Sequence, residues 1–94
     1  MTIGEFAYIL DNKFILNLNP MDDSSKQVLK EFLKNHPEEY GLESTPDYIN
    51  SHEVTISFSV KDFTGELKDT FSKYHVLKTT NDIYDKNTLI IFYK

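Results

Sequence analysis

The sequence contains no arginine, no cysteine and no tryptophan, and all ten of its basic residues are lysines. Without arginine, the chain lacks the planar guanidinium group that binds carboxylates and phosphates through two parallel hydrogen bonds. Without cysteine, it has neither a thiolate nucleophile nor a soft metal ligand. Without tryptophan, it lacks one of the side chains that are common at interface hot spots. These absences exclude much enzyme and metal chemistry.

Glycine is also scarce, and the three glycines, Gly4, Gly41 and Gly65, are far apart. A loop that cradles phosphate needs several glycines close together, so none is expected here. No run approaches the roughly 20 apolar residues that cross a bilayer, and the first residues include Glu5 but no basic cluster of a secretory signal. We therefore predict a cytoplasmic protein without a membrane partner.

The histidines do not form a metal or catalytic motif. His36, His52 and His75 are widely spaced, and no other ligand types stand at zinc-site spacing around them. No Gly-x-Ser-x-Gly turn presents a nucleophile. We predict no catalytic residues, no metal and no cofactor, and hence a protein that is not an enzyme. An enzyme of unrecognised type remains as an alternative.

Alternating apolar residues near the N-terminus predict a β-hairpin. Two such runs flank Asp11-Asn12, a pair that tolerates the positive φ angles of a tight turn. A helix should follow, because Asp22 to Ser25 offer oxygens that can cap its start. Pro37 should end this helix near His36. The alternating hairpin residues are Phe6, Tyr8 and Leu10, then Phe14, Leu16 and Leu18.

The second half of the chain predicts a loop, a strand, a helix and a last strand. Residues 42–52 have little periodicity, whereas residues 54–60 alternate apolar and polar side chains as a half-buried strand does. Asp62 is a candidate cap for a helix, and the apolar run 88–93 predicts a central strand. The apolar stripe of that helix would be Phe63, Leu67, Phe71 and Tyr74.

These elements predict a single α+β domain over residues 1–94. The fold class is a small two-layer sandwich with an N-terminal β-hairpin followed by α-β-α-β, ferredoxin-like or similar. Its sheet would be mainly antiparallel, with two helices on one face.

The negative charge is concentrated in one segment. Residues 35–60 hold five carboxylates and no lysine, while the rest of the chain has ten lysines and ten of the fifteen acidic residues. The formal net charge of −5 therefore belongs to this segment, which also contains tyrosines. We predict a partner-binding surface made of Glu38, Glu39, Tyr40, Glu43, Asp47, Tyr48 and Glu53.

The functional hypothesis is a non-enzymatic acidic protein that occludes a basic partner. Carboxylates would mimic phosphates and tyrosines would supply buried contact area, as in an inhibitor of a nuclease or another nucleic-acid-handling protein. Small phage or mobile-element inhibitors and immunity proteins offer the analogy, which is one of size and charge. Direct nucleic-acid binding is disfavoured by the net charge.

Three other interpretations stay open. The acidic segment could serve solubility alone. The polar strip Thr55, Ser57 and Ser59 favours a small-molecule-sensing or regulatory domain, dimeric through its sheet. The open sheet face or the last strand would also allow a homodimer without any ligand.

Overall fold

A computed structural model describes residues 1–36 and 54–94 of the chain. Within these ranges the elements follow the order α-β-α-β-α-β-β, with one 3₁₀ turn, Val60–Asp62, before the third helix. The helices are α1 (Ile3–Ile9), α2 (Asp23–Asn35) and α3 (Gly65–Phe71). The strands are β1 (Ile15–Pro20), β2 (Ile56–Ser59), β3 (Val76–Asn81) and β4 (Thr88–Tyr93).

The four strands form one mixed sheet in the order β2-β1-β4-β3. β1 is antiparallel to β2, with Leu16 opposite Phe58, and β3 is antiparallel to β4. The central pair, β1 and β4, is parallel and places Leu18 opposite Ile91. The predicted mainly antiparallel sheet therefore contains one parallel pair at its centre.

One face of the sheet carries the hydrophobic core. Alternate strand residues such as Leu16, Leu18 and Ile91 are fully buried and belong to the same cluster as the buried residues of the helices. All three described helices therefore pack on this face, one more than the two that the sequence predicts, and the result is the predicted two-layer α+β sandwich. From the helices, the cluster includes Ile3, Ala7, Leu29, Phe32, Leu33, Leu67 and Phe71.

The predicted N-terminal hairpin is wrong, because its first half is the helix α1. Thr2 and Glu5 form a capping box at the start of this helix. Ile3 and Ala7 are spaced one helical turn apart and are both buried, whereas Tyr8 is 89% exposed. A run as short as residues 6–10 reads as alternating or as helical, and burial of the helical face decides between them. The second half of the hairpin is correct, since it is β1.

The second predicted helix begins later than Asp62. That residue ends the 3₁₀ turn, and α3 starts at Gly65, which has a φ of 58°. Few residues other than glycine adopt this left-handed conformation, so the chain changes direction there before the helix. Thr64 stands at the N-cap without a side-chain hydrogen bond. Tyr74 follows the helix and does not belong to it.

No helix in the described ranges is long and apolar enough to cross a bilayer. The longest of them, α2, has 13 residues.

Candidate functional site

The predicted partner-binding residues all fall between positions 37 and 53, outside the described residues. This applies to Glu38, Glu39, Tyr40, Glu43, Asp47, Tyr48 and Glu53 alike, and also to the loop predicted over 42–52. Their surface therefore remains a prediction. The structure does describe the elements from which this segment departs and to which it returns.

The segment departs from a well-packed helix end. His36 follows α2, and its ring stacks on Phe32 with 4.4 Å between the ring centroids. The His36 Nε2 atom lies 3.1 Å from the Glu66 Oε2 atom, which joins the end of α2 to α3. Only 17% of the His36 side chain is exposed. His36, the residue that precedes the acidic segment, is thus held against the helical layer.

The segment returns to an edge of the sheet. Val54 is half-buried, packs against the core and precedes β2, the strand that forms one edge. The acidic segment, residues 37–53, is therefore joined at both ends to the rigid body that residues 1–36 and 54–94 form, through α2 on one side and β2 on the other.

The rigid body itself carries no net formal charge. All ten lysines and ten of the fifteen acidic residues lie in the described ranges, so the whole −5 falls on residues 37–53. Between described residues, the one close contact of a basic side-chain nitrogen with a carboxylate oxygen is that of His36 with Glu66.

A second surface lies on the face of the sheet opposite the core. Asn17 donates a hydrogen bond from Nδ2 to Ser57 Oγ at 2.7 Å. Asn19 donates from its Nδ2 to the Asn17 Oδ1 at 2.6 Å, so the three side chains form a connected polar row. Ile90 and Phe92 flank this row on β4, and both are half-buried. The open face thus combines amide groups with apolar side chains.

Two residues of the predicted polar strip lie on this surface, whereas the third, Thr55, precedes β2. Ser57 is exposed and Ser59 half-exposed on the open face, and the alternate residues Ile56 and Phe58 are buried. Asn17 and Asn19 of β1 extend this surface beyond the strip that the sequence predicts. Both alternate with buried leucines, so they must share the face of Ser57 once β1 and β2 pair.

The described residues show no metal site. No group of three His, Cys, Asp or Glu side chains within residues 1–36 and 54–94 comes close enough to hold an ion. His75 is exposed and exchanges backbone hydrogen bonds with Lys94, at 3.1 and 3.2 Å. His36, by contrast, pairs with Glu66, so the two described histidines have different surroundings.

Comparisons with protein-family models, with curated proteins and with solved structures found no match to this chain.

Proposed function

We propose that this chain is a non-enzymatic, acidic binding protein that occludes a basic partner. The partner would be a nucleic-acid-handling protein or nuclease whose cationic groove the acidic segment, residues 37–53, enters. The observation that carries the proposal is the charge distribution: a rigid body with balanced charges and a segment that holds the entire net charge of −5. Such a concentration of carboxylates raises the encounter rate with a positively charged surface.

The attachment of the segment supports this proposal. His36 and Val54 join it to α2 and β2, so the segment begins and ends at packed elements of the fold. Tyr40 and Tyr48 lie among the acidic residues and would add apolar contact area to the electrostatic attraction. The cellular compartment that suits this function is the cytoplasm, where a nuclease or DNA-binding target is found.

The test compares two charge-reversed variants of equal net charge. E38K/E39K/E43K reverses three acids of the segment, and E31K/D62K/D69K reverses three exposed acids of the rigid body. Each reversal adds two positive charges, so both variants change from −5 to +1. Each protein is immobilised and exposed to host lysate at about 50 mM and about 500 mM salt, which differ strongly in screening.

The expected result is a basic protein retained by the wild-type chain and by E31K/D62K/D69K at low salt, and lost by E38K/E39K/E43K. The melting temperatures of the three proteins should be nearly equal. The retained protein is then purified, and its affinity for each variant is measured directly. Equal binding of that partner to wild type and to E38K/E39K/E43K would refute the acidic docking surface.

A second candidate function uses the open face of the sheet. The Asn17, Ser57 and Asn19 row beside Phe92 favours a small-molecule-sensing or regulatory domain, because amide groups beside an aromatic ring are typical of ligand contacts. An uncharged ligand would bind with little dependence on salt. If the wild-type protein binds such a ligand at about 500 mM salt and the N17A variant does not, this function would be favoured over acidic docking.

A further inference from the structure

Among the described residues, one side of β3 is unpaired along most of its length. β3 pairs with β4, and no other described strand follows it in the sheet. The start of its outer side is covered, because Val76 donates its N–H to the Met1 carbonyl at 2.9 Å and Thr2 bridges to His75. Within the described ranges, no segment pairs with the outer side of residues 78–81.

The pairing with β4 determines which backbone groups point outward. Asp82 donates its N–H to the Thr88 carbonyl at 3.0 Å, so Asp82 faces β4. In an antiparallel pair, successive residues alternate between facing the partner strand and facing away. Thr80 therefore also faces β4, whereas the N–H and C=O groups of Thr79 and Asn81 point to the outer side. Between described residues, these groups have no hydrogen-bond partner.

The side chains along this edge have a symmetric arrangement of charge about Thr80. Lys78 lies two residues before it and Asp82 two residues after it, and all three share the open face of the sheet. Just beyond the charges are two large apolar side chains, Leu77 and Ile83, which are 51% and 86% exposed. When a second copy is rotated by 180°, its positive end lies opposite the negative end of the first copy, and the apolar residue beside each charge lies opposite the other apolar residue.

We propose that residues 78–82 of β3 pair antiparallel with the same residues of a second copy of this chain. Thr80 faces Thr80 of the second copy at the two-fold axis, and Lys78 stands opposite Asp82 of the second copy. In this register Thr79 exchanges backbone hydrogen bonds with Asn81 of the second copy, which uses the outward groups of both chains. The result is one continuous eight-stranded sheet.

The charges select both the occupant and the register. Shifting the pair by two residues would place Lys78 opposite another Thr80 and leave Asp82 without a basic partner. A shift by one residue would place inward-facing groups at the hydrogen-bonding positions. A strand with a single sign of charge would meet like charge at one end of this edge. A second copy in the two-fold register pairs both charges, and the cover that Met1 and Thr2 provide limits the ladder to a few residues.

The first test exchanges the charges. K78E and D82K each create two like-charge pairs in a homodimer, so each variant alone should show at least about a tenfold higher dimer dissociation constant than wild type. An equimolar mixture of the two variants restores opposite charges at both ends and should form heterodimers. Analytical ultracentrifugation over a concentration series measures all three, with circular dichroism to show that each variant is folded.

The second test fixes the register. The chain has no cysteine, so one introduced thiol reports on one position. T80C should form an intermolecular disulfide rapidly, because directly opposite residues lie within the Cα separation that a disulfide spans. T79C is the matched control on the same strand, and it should cross-link slowly, since Thr79 is opposite Asn81 of the second copy.

Two results would overturn the proposal. One is a wild-type chain that stays monomeric up to about 1 mM, the concentration at which even a weak dimer with a dissociation constant of that order is populated. The other is a dimer that both K78E and D82K leave intact. The acidic-segment variant E38K/E39K/E43K should dimerise as wild type does, so failure of the partner-binding proposal and failure of this one are separate results.

Discussion

Tyr93 is the largest fully buried side chain of the described residues. It ends the central strand β4, and its ring packs at 6.4 Å from Phe71 and 5.2 Å from Tyr74, between centroids. Its hydroxyl has no hydrogen-bond partner within the part of the chain that the structure describes. Burial raises the pKa of the Tyr93 phenol, so the hydroxyl stays protonated in the folded state. Among the described residues, the Tyr93 hydroxyl is therefore a buried polar group whose hydrogen-bonding capacity is unsatisfied.

Tyr93→Phe should increase the free energy of unfolding by about 1 kcal/mol, because a buried hydroxyl without a partner loses its hydration and gains nothing. The gain should grow above about pH 10, where an unfolded tyrosine ionises and the folded one does not. Urea unfolding at pH 7 and at pH 10.5 or so measures both effects. Tyr74→Phe, at a half-buried residue, is the control and should change stability less. Destabilisation by Tyr93→Phe would show that the hydroxyl has a partner.

At the scale of elements, the start of α2 depends on a reciprocal cap. The Asp22 carboxylate accepts the Ser25 N–H at 2.9 Å and also accepts a hydrogen bond from the Ser25 hydroxyl. The Asp22 N–H in turn donates to Ser25 Oγ at 3.4 Å. These hydrogen bonds, first that of the Ser25 hydroxyl and then that of its N–H, lower the pKa of Asp22. The ionised cap is therefore favoured in the folded state.

Because of this cap, the stability of α2 should decrease at acidic pH. A carboxyl group whose pKa is lowered by folding contributes stability that is present above its ordinary pKa of about 4 and is lost as pH falls through the lowered value. Asp22→Asn keeps an acceptor oxygen but cannot ionise, so it should flatten the fall of melting temperature below about pH 4.

The control for this prediction is Asp23→Asn, an exposed acid in the first turn of α2 for which no capping bond is found among the described residues. In the Asp23→Asn variant, the melting temperature should fall more steeply with decreasing pH than it does in the Asp22→Asn variant. Equal acid sensitivity of wild type and Asp22→Asn would contradict the role of the ionised cap.

At the scale of the whole molecule, solubility and partner docking depend on charge in different ways and can be tested separately. Solubility follows net charge, while docking depends on where the charges are. Neutralising the five acids of the segment, in E38Q/E39Q/E43Q/D47N/E53Q, changes the formal net charge from −5 to 0. Neutralising five acids of the rigid body, in D11N/D23N/E31Q/D62N/D69N, does the same.

Both neutral variants should precipitate at a lower ammonium sulfate concentration than wild type, and at similar values. Binding of the basic partner should be lost in the first variant and retained in the second. Precipitation curves at pH 7 and a direct binding assay measure the two properties. If the two variants lost binding equally, net charge alone would be responsible and the acidic segment would have no docking role.

The successes and errors of the sequence prediction follow from the range of the interactions. Leu16 and Leu18 alternate with asparagines, so the buried face of β1 could be predicted locally, as could the cap at Asp22. The error at α1 arose because residues 6–10 carry two periodicities at once. Contact of Ile3 and Ala7 with the core selects the helix, and that contact depends on residues far along the chain.

Some features of the candidate site can be predicted from the sequence, and others depend on the pairing of distant strands. The charge excess of residues 37–53 and the outward strip at Ser57 are properties of the sequence. The row that joins Ser57 to Asn17 and Asn19 needs the pairing of β1 with β2, which brings together residues 40 positions apart in the chain. The acidic residues themselves lie outside the described ranges, so their grouping on one surface stays a prediction.

The local features of the chain can be read from its residues alone: which side of each strand is apolar, where α2 begins, and where the net charge lies. These depend on neighbouring residues and on composition, which any conformation of the chain retains. The parallel pairing of β4 with β1, and an edge of β3 that no other described strand covers, follow from the folded structure alone. Strand order depends on pairing between distant segments, and alternation specifies a strand's buried face without naming its neighbour.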